Sequence, residues 1–435
     1  MLMNHNARGL VGLTAAVVTT AAFAKTFVPF YLIGSTAIFA ATCALGAFLV
    51  LIRGRPIHGM ASSVTDIILI LASFYSLMIA NFLILSYQAV ATTHLAGILI
   101  FHALFMVFGF AASRALNMVM MVLVGSAAVY WFVIVQYTIR FGDLMKDGRL
   151  QDMFGIQQPA IFNTFHQNIG IVLGLATLAA IGLGSNRVRR AFAIGALPLV
   201  LLFMFYIAAR GALVALACSL VFLVGSSAWV RSKRITVLAA TIAIIVVTFA
   251  CSLAYQRAIQ QKGIDEVSSD AISRTIREIQ QPNPETRLGI WTQTWNRISS
   301  EPDRLLFGRG VGMYPVIEGF GAPDWLLRKT EASRHYPHNV YLEMLYETGI
   351  VGLLLFGILT LFPLGVALRR WHLFSLAEKS AISMYVFQLV VSQFSGAFAF
   401  DYLVQFFFGL TVGIIALSRT DDLLVRDQHV TQGAE

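Results

Sequence analysis

Residues 334–356 read RHYPHNVYLEMLYETGIVGLLLF, and this stretch decides the class of fold. A polar start is followed by an apolar run to residue 363, which is long enough to span a membrane as a helix. His338 stands at the start of the predicted helix, and Asn339, Glu343 and Glu347 follow at four-residue steps as one polar stripe. Because carboxylates are costly in lipid, we expect the stripe to face the interior of a helix bundle.

Similar apolar runs recur from end to end of the chain. Of its 435 residues, 57% are hydrophobic and only 12% are charged, and the mean hydropathy is +0.74. These values exclude a soluble enzyme, a disordered chain and a disulfide scaffold. They predict an all-α integral membrane protein with about twelve spans. The predicted spans are 9–24, 28–52, 64–87, 90–111, 116–138, 160–184, 191–209, 211–230, 235–255, 339–363, 380–399 and 402–418.

The distribution of Lys and Arg predicts the orientation. The connections and termini on one side of the predicted spans carry fifteen of these residues, and the short connections on the opposite side carry five. Both termini are therefore expected in the cytoplasm. The predicted organisation is spans one to nine in 1–255, a large periplasmic loop in 256–338, the last three spans in 339–418, and a cytoplasmic tail in 419–435. The net charge of +9 is explained by this topology, and nucleic acid is not expected as a partner.

The long loop contains two further patterns. A helix is predicted over 284–299, with Leu288, Trp291, Trp295 and Ile298 as an apolar stripe that packs on the spans or lies at headgroup level. The segment LFGRGVGMYP, residues 306–315, resembles a phosphate-binding loop only weakly, so a tight turn is the favoured role of its glycines.

Three residues are candidates for chemistry. His338 lies at the positive end of a predicted helix dipole, which favours a neutral imidazole able to accept a proton as a general base. The alternative is that His338 merely caps the helix and that Glu343 and Glu347 hold the fold through buried pairs. Arg210, between two spans at the outer boundary, and Arg287, in the loop helix, offer forked donors suited to phosphate oxygens. Their alternatives are a snorkelling or loop arginine and an ordinary surface charge.

Other polar residues are weaker candidates. Supporting roles are predicted for Asn339, Glu343, Glu347, His335, Arg334, Asn168 and His166, with His335, Tyr336 or arginines as partners of the two acids. His94 and His102 could share a helix face but lack a third metal ligand. Asp401 is expected in a solvated or capping role in the last outer turn. No metal-ligand spacing or nucleotide motif occurs, so no metal and no cofactor are expected.

The sequence resembles the O-antigen ligase and polymerase superfamily of bacterial envelope enzymes. The resemblance rests on His338-Asn339 with Tyr341-Leu342-Glu343 and on Glu347 to Gly352, together with the Arg210 stretch, Arg287 with Leu288 and Trp291, and Gly308 to Gly312. It covers roughly residues 190–363 by motif. One departure is FNTFHQN at 162–168, where the family often has an Asn-Pro-Asn pattern and only Asn168 aligns.

The resemblance implies a membrane glycosyltransferase of GT-C type in the bacterial inner membrane, with its active site facing the periplasm. It further implies a glycan donor carried on undecaprenyl pyrophosphate, with Arg210 and Arg287 on the pyrophosphate and His338 activating the acceptor hydroxyl. The acceptor is a lipid A-core sugar in a ligase, another lipid-linked repeat in a polymerase, and a protein in an oligosaccharyltransferase. From a different class, a transporter of lipid-linked glycans is the alternative, although its usual internal repeat and midplane polar residues are not evident in the sequence.

Overall fold

The computed structural model describes residues 62–87, 89–141, 165–184, 187–206, 209–230, 287–318 and 336–432. Within these ranges all regular elements are helical. The helices are α1 (Ser62–Leu85), α2 (Ala89–Ala112), α3 (Leu116–Phe141), α4 (Phe165–Leu183), α5 (Arg187–Tyr206), α6 (Arg210–Val230), α7 (Arg287–Ser300), α8 (Met313–Glu318), α9 (Val340–Arg369), α10 (Leu376–Ser395) and α11 (Tyr402–Gln432). The predicted spans 9–24, 28–52 and 235–255 lie outside the described residues, as do Arg334 and His335.

Much of the described chain is long and apolar enough for a membrane. Three helical stretches, Val64–Leu85, Leu95–Ala128 and Val340–Arg369, meet the length and composition of a membrane span, and four shorter apolar helices accompany them. The predicted boundary between spans at 111 and 116 coincides with a 3-10 turn, Ser113–Ala115, in which Arg114 is exposed. Over the described residues these helices confirm an all-helical fold with candidate membrane spans, whereas the count of twelve spans stays a prediction.

Small residues let the helices of the bundle approach closely. α11 packs along α2, where a Cβ at Gly109 would overlap the Phe406 carbonyl and a Cβ at Gly409 would overlap the Met106 carbonyl. α10 packs on both α4 and α6, with Gly174 of α4 against the Phe387 ring. Close backbone approach at such positions is typical of helix packing in membranes.

The second half of the bundle supports a smaller layer at one end. α9 packs on α1, and α7 and α8 both contact α9. Ile298 of α7, Tyr314 of α8 and Tyr346 of α9 form a separate apolar cluster there. The described part of the long loop is thus held against the first turns of α9, which is the region of the candidate site.

The loop helix differs from its prediction in its buried face. Ile290, Thr294 and Ile298 are the buried side chains of α7, whereas Trp295 is 55% exposed. The packing alternative of the predicted stripe is therefore wrong at Trp295, whereas the headgroup-level alternative stays a prediction. The Thr294 hydroxyl donates to the Ile290 carbonyl at 2.7 Å and also hydrogen-bonds with the Tyr314 hydroxyl at 2.9 Å. These bonds offset the cost of burying the hydroxyl, so Thr294 can lie on the buried face of α7.

Candidate functional site

His338 occupies the turn that leads into α9. Its φ is 53°, and among the described residues it is the one non-glycine residue with a backbone in the left-handed region. Such a conformation is uncommon outside glycine and typically costs about 1–3 kcal/mol, and it often marks functional positions. The imidazole is half-buried, and its ring lies 4.4 Å from the Tyr336 ring between centroids.

The helix cap belongs to the next residue. Asn339 is the N-cap of α9, and its side-chain oxygen accepts a hydrogen bond from the Leu342 N–H at 3.0 Å. His338 therefore precedes the cap, and the capping that its structural alternative invokes is carried out by Asn339. The imidazole is left beside the positive end of the helix dipole, where negative charge on a ligand is favoured.

Trp291 connects His338 with the helix that begins at Arg287. The Trp291 indole N–H donates to the Pro337 carbonyl at 2.7 Å. Arg287 is the first residue of α7 and lies four residues before Trp291, so both positions are on one side of the helix. The start of α7 is thereby fixed next to the turn that carries His338.

Phe394 links the same place to Arg210. The Trp291 and Phe394 rings are 6.4 Å apart between centroids. A Cβ at Gly211 would lie 3.0 Å from the Phe394 Cβ, so the first turn of α6, which begins at Arg210, packs against Phe394. The structure thus brings the backbone positions of Arg210, Arg287 and His338 around one aromatic pair.

The start of α4 reaches the same neighbourhood. His166 lies in the first turn of α4, and Asn168 is half-buried one residue before the buried Ile169. A Cβ at Gly170 would overlap the Cβ of Ala209, the residue before Arg210. The predicted supporting positions in α4 therefore adjoin the start of α6.

Glu343 and Glu347 are buried inside the bundle, as their spacing predicts. The Glu343 carboxylate accepts from the Phe398 N–H at 2.9 Å. The Glu347 carboxylate accepts from the Tyr314 N–H at 3.2 Å and also from the Gly312 N–H. These hydrogen bonds come from backbone groups, and they anchor α8 and the turn before α11. Of the predicted side-chain partners, His335 lies outside the described residues.

A glycine loop, residues 305–312, fills a break in α9. Gly349 has a φ of 69° and a ψ of −166°, which interrupts the helix. The carbonyls freed at Tyr346 and Glu347 accept from the N–H groups of Arg309 and Gly310, at 3.0 and 2.9 Å. Since these N–H groups are already engaged, the loop has the structural role that the sequence favoured rather than that of a phosphate cradle.

Two residues that hold this loop were not singled out from the sequence. Asn81 of α1 donates to the Phe307 carbonyl at 2.6 Å and accepts from the Val311 N–H at 3.1 Å. Arg309 is buried, with an ion pair to Glu301 at 3.2 Å and its guanidinium 4.5 Å from the Tyr346 ring centre. A polar residue inside an apolar run was the available signal for Asn81.

His102 has a structural role in the core. It is fully buried, and its Nε2 lies 2.8 Å from the Phe398 carbonyl while its Nδ1 lies 2.8 Å from the Tyr75 hydroxyl. A carbonyl only accepts, so Nε2 carries the proton and Nδ1 accepts from Tyr75. Among the residues that the structure describes, no group of three or more His, Cys, Asp and Glu side chains is arranged to hold a metal ion.

The segment that contains these candidate positions matches a known family model. Residues 196–357 match the family model described as O-antigen ligase, a segment that contains Arg210, Arg287, His338 and the break at Gly349. No match was found among curated proteins. The family model confirms the resemblance to the O-antigen ligase superfamily over this segment. The family consists of membrane glycosyltransferase-like enzymes whose substrates are, in general terms, lipid-linked glycans and lipid acceptors.

Proposed function

We propose that the chain transfers a glycan from undecaprenyl pyrophosphate to a hydroxyl of the lipid A core, at the periplasmic face of the inner membrane. The observation that carries this proposal is the convergence of the starts of α6, α7 and α9 around Trp291 and Phe394. Each start contributes one of the residues whose chemistry the transfer requires. The match of this segment to the O-antigen ligase model supports the same reaction.

The proposed reaction displaces pyrophosphate from the anomeric carbon of the donor glycan. His338 accepts the proton of the acceptor hydroxyl while the hydroxyl oxygen forms the new bond to the anomeric carbon. The bond between the anomeric carbon and the pyrophosphate oxygen breaks, and undecaprenyl pyrophosphate leaves. Arg210 and Arg287 stabilise the negative charge that develops on this leaving group, because a guanidinium presents paired N–H donors to phosphate oxygens.

The position of His338 before the cap favours this role. A residue that only started α9 would have no need of a left-handed backbone, whereas His338 keeps one beside the half-buried Tyr336 ring. A strained backbone of this kind often marks a functional position.

The proposal is tested by replacing His338 with Ala and with Gln. Purified protein in lipid nanodiscs is given a defined lipid-linked glycan and a lipid A-core acceptor, and the covalent product is measured with donor binding and thermal stability. We expect both variants to bind donor and to lose turnover by roughly 10²- to 10⁴-fold, since an amide cannot accept a proton at neutral pH. An active and normally stable His338→Gln enzyme would contradict the general-base role.

Two controls separate the alternatives. Asn339→Ala reports the stability cost of a lost helix cap, about 1 kcal/mol, which the His338 variants should not show. The second control uses wild-type protein reconstituted in vesicles. Movement of the lipid-linked glycan across the vesicle membrane without formation of a product would indicate a transporter.

A further inference from the structure

Trp291 holds the residue that precedes His338. Its indole N–H donates to the Pro337 carbonyl at 2.7 Å, across 46 positions of sequence. Trp291 is half-buried and Pro337 is buried. The sequence pattern placed Trp291 only in an apolar stripe, but this hydrogen bond gives its polar atom a specific partner.

The bonded carbonyl belongs to the peptide unit that carries the His338 nitrogen. Because a peptide unit is planar, fixing the direction of the Pro337 carbonyl also fixes the direction of the His338 N–H. Proline restricts its own φ, which further limits the freedom of this turn. From the other side, the Asn339 side chain fixes the start of α9 by its bond to the Leu342 N–H. The left-handed φ of His338 is therefore defined by restraints on both of its neighbours.

Trp291 is also the contact point of the other two candidate positions. It lies one turn after Arg287 in α7, and its ring faces Phe394, against which the first turn of α6 packs. A displacement of Trp291 would therefore alter the spacing between His338 and both proposed arginine positions.

We propose that Trp291 is a positioning residue, which holds His338 in its left-handed conformation through the Pro337 carbonyl and sets its distance from the start of α7. This inference rests on the proposed function. It assigns to Trp291 no contact with the reacting atoms. Its effect on turnover passes through His338.

The test compares Trp291→Phe with Trp295→Phe. The first change keeps an aromatic ring next to Phe394 and removes the N–H, while the second changes a tryptophan of the same helix that is 55% exposed. We expect Trp291→Phe to lower kcat by roughly 10- to 100-fold, the loss typical of a misplaced catalytic group. The KM for the lipid-linked donor should stay within about twofold, because the pyrophosphate contacts belong to the arginines. Trp295→Phe should match the wild type.

A double variant separates positioning from a general structural role. If Trp291 acts through His338, adding Trp291→Phe to His338→Ala should not lower the residual rate further. Equal losses with and without the His338→Ala change would overturn the inference, and so would wild-type kcat in Trp291→Phe. Should Trp291→Phe fail to fold, 3-benzothienylalanine at 291 keeps the indole shape without the N–H, and the same outcomes apply.

The proposed function and the positioning role of Trp291 can be disproved separately. Full turnover by His338→Ala would overturn the proposed function, and this inference with it. An inactive His338→Ala enzyme together with an unaffected Trp291→Phe enzyme would overturn this inference alone.

Discussion

Several polar residues of the described chain hold the fold together, whereas His338 is proposed to take part in the chemistry. Glu343, Glu347 and His102 are buried and hydrogen-bonded to groups of the core. Arg309, although basic and next to glycines, is used by Glu301 and Tyr346. His338 is different, since its backbone is strained while the neighbouring Asn339 does the capping.

Replacing Arg210 or Arg287 with Lys is expected to lower turnover without restoring the wild-type rate. A lysine keeps the charge but lacks the planar fork that binds two phosphate oxygens at once. Product formation in nanodiscs, with protein amounts matched, measures the effect. Arg304→Lys, at a side chain that is 47% exposed, is the control. Full turnover by Arg210→Ala would remove that residue from the site.

Asp401 gives the stability of the protein a pH dependence. Burial in the turn between α10 and α11 raises the pKa of the Asp401 carboxyl to about 7, and a hydrogen bond from the Val404 backbone opposes the rise. An unfolded Asp has a pKa of about 3.9, so the folded state binds this proton more tightly. Its contribution to stability is therefore complete below about pH 4 and is lost as the pH rises through about 7.

We expect Asp401→Asn to weaken this dependence. Melting temperatures in detergent, taken between pH 4.5 and pH 8, should fall less with rising pH in Asp401→Asn than in the wild type. The difference in pH dependence between the two proteins includes the charge interaction of Asp401 with the nearby Glu343. Asp303→Asn, at a side chain that is 77% exposed, is the matched control. Parallel curves for wild type and Asp401→Asn would show that Asp401 does not titrate in this range.

At the level of elements, α9 is two helical segments joined at Gly349. The break leaves the Tyr346 and Glu347 carbonyls and the Ile350 and Val351 N–H groups without partners inside the helix. The glycine loop supplies those partners, since Ile350 and Val351 donate to the Leu305 and Leu306 carbonyls at 2.9 and 3.3 Å. Backbone groups inside a membrane helix need such internal partners because lipid offers none.

Gly349→Ala is expected to destabilise the protein by about 1–3 kcal/mol from backbone strain, and the overlap of the new Cβ adds to this cost. Its backbone conformation is almost restricted to glycine, and a Cβ would overlap the Leu306 carbonyl and the Gly308 nitrogen. Gly357→Ala, in the same helix, has no atom within 4 Å of the added Cβ and should be neutral or stabilising. Thermal unfolding of both variants in detergent measures the difference. Equal stability of the two would mean that the break at Gly349 is not required.

The apolar pattern predicted the positions of the helices better than their internal features. The predicted span 211–230 corresponds to α6, Arg210–Val230, because a span is defined by its length of apolar sequence. The same pattern passes through Gly349 without a signal, since Ile350 and Val351 continue the apolar run. The loop that repairs the break is distant in sequence, so its pairing with α9 depends on tertiary structure.

Across the whole molecule, the sequence proposed the individual residues of the candidate site. It did not indicate that the fold brings their backbone positions together. The helix-start position of His338 and the unusual positions of Arg210 and Arg287 made them candidates. Their convergence depends on Trp291, Phe394 and Gly211, which look like ordinary packing residues in the sequence. Hydrophobic contacts between distant segments carry no local signal, which explains why the sequence alone did not show this junction.

The orientation of the whole chain is the remaining prediction. The excess of Lys and Arg at one set of ends predicts that the 256–338 loop lies on the periplasmic side, where a lipid-linked donor would meet the candidate site. We expect Asp265→Cys, in a chain whose three native cysteines are replaced, to react with a membrane-impermeant maleimide in cells with a permeabilised outer membrane. Ser185→Cys, beside Arg187 and Arg190, should react only after the inner membrane is opened. Labelling of position 265 only from the cytoplasmic side would reverse the topology and place the proposed site away from the periplasm.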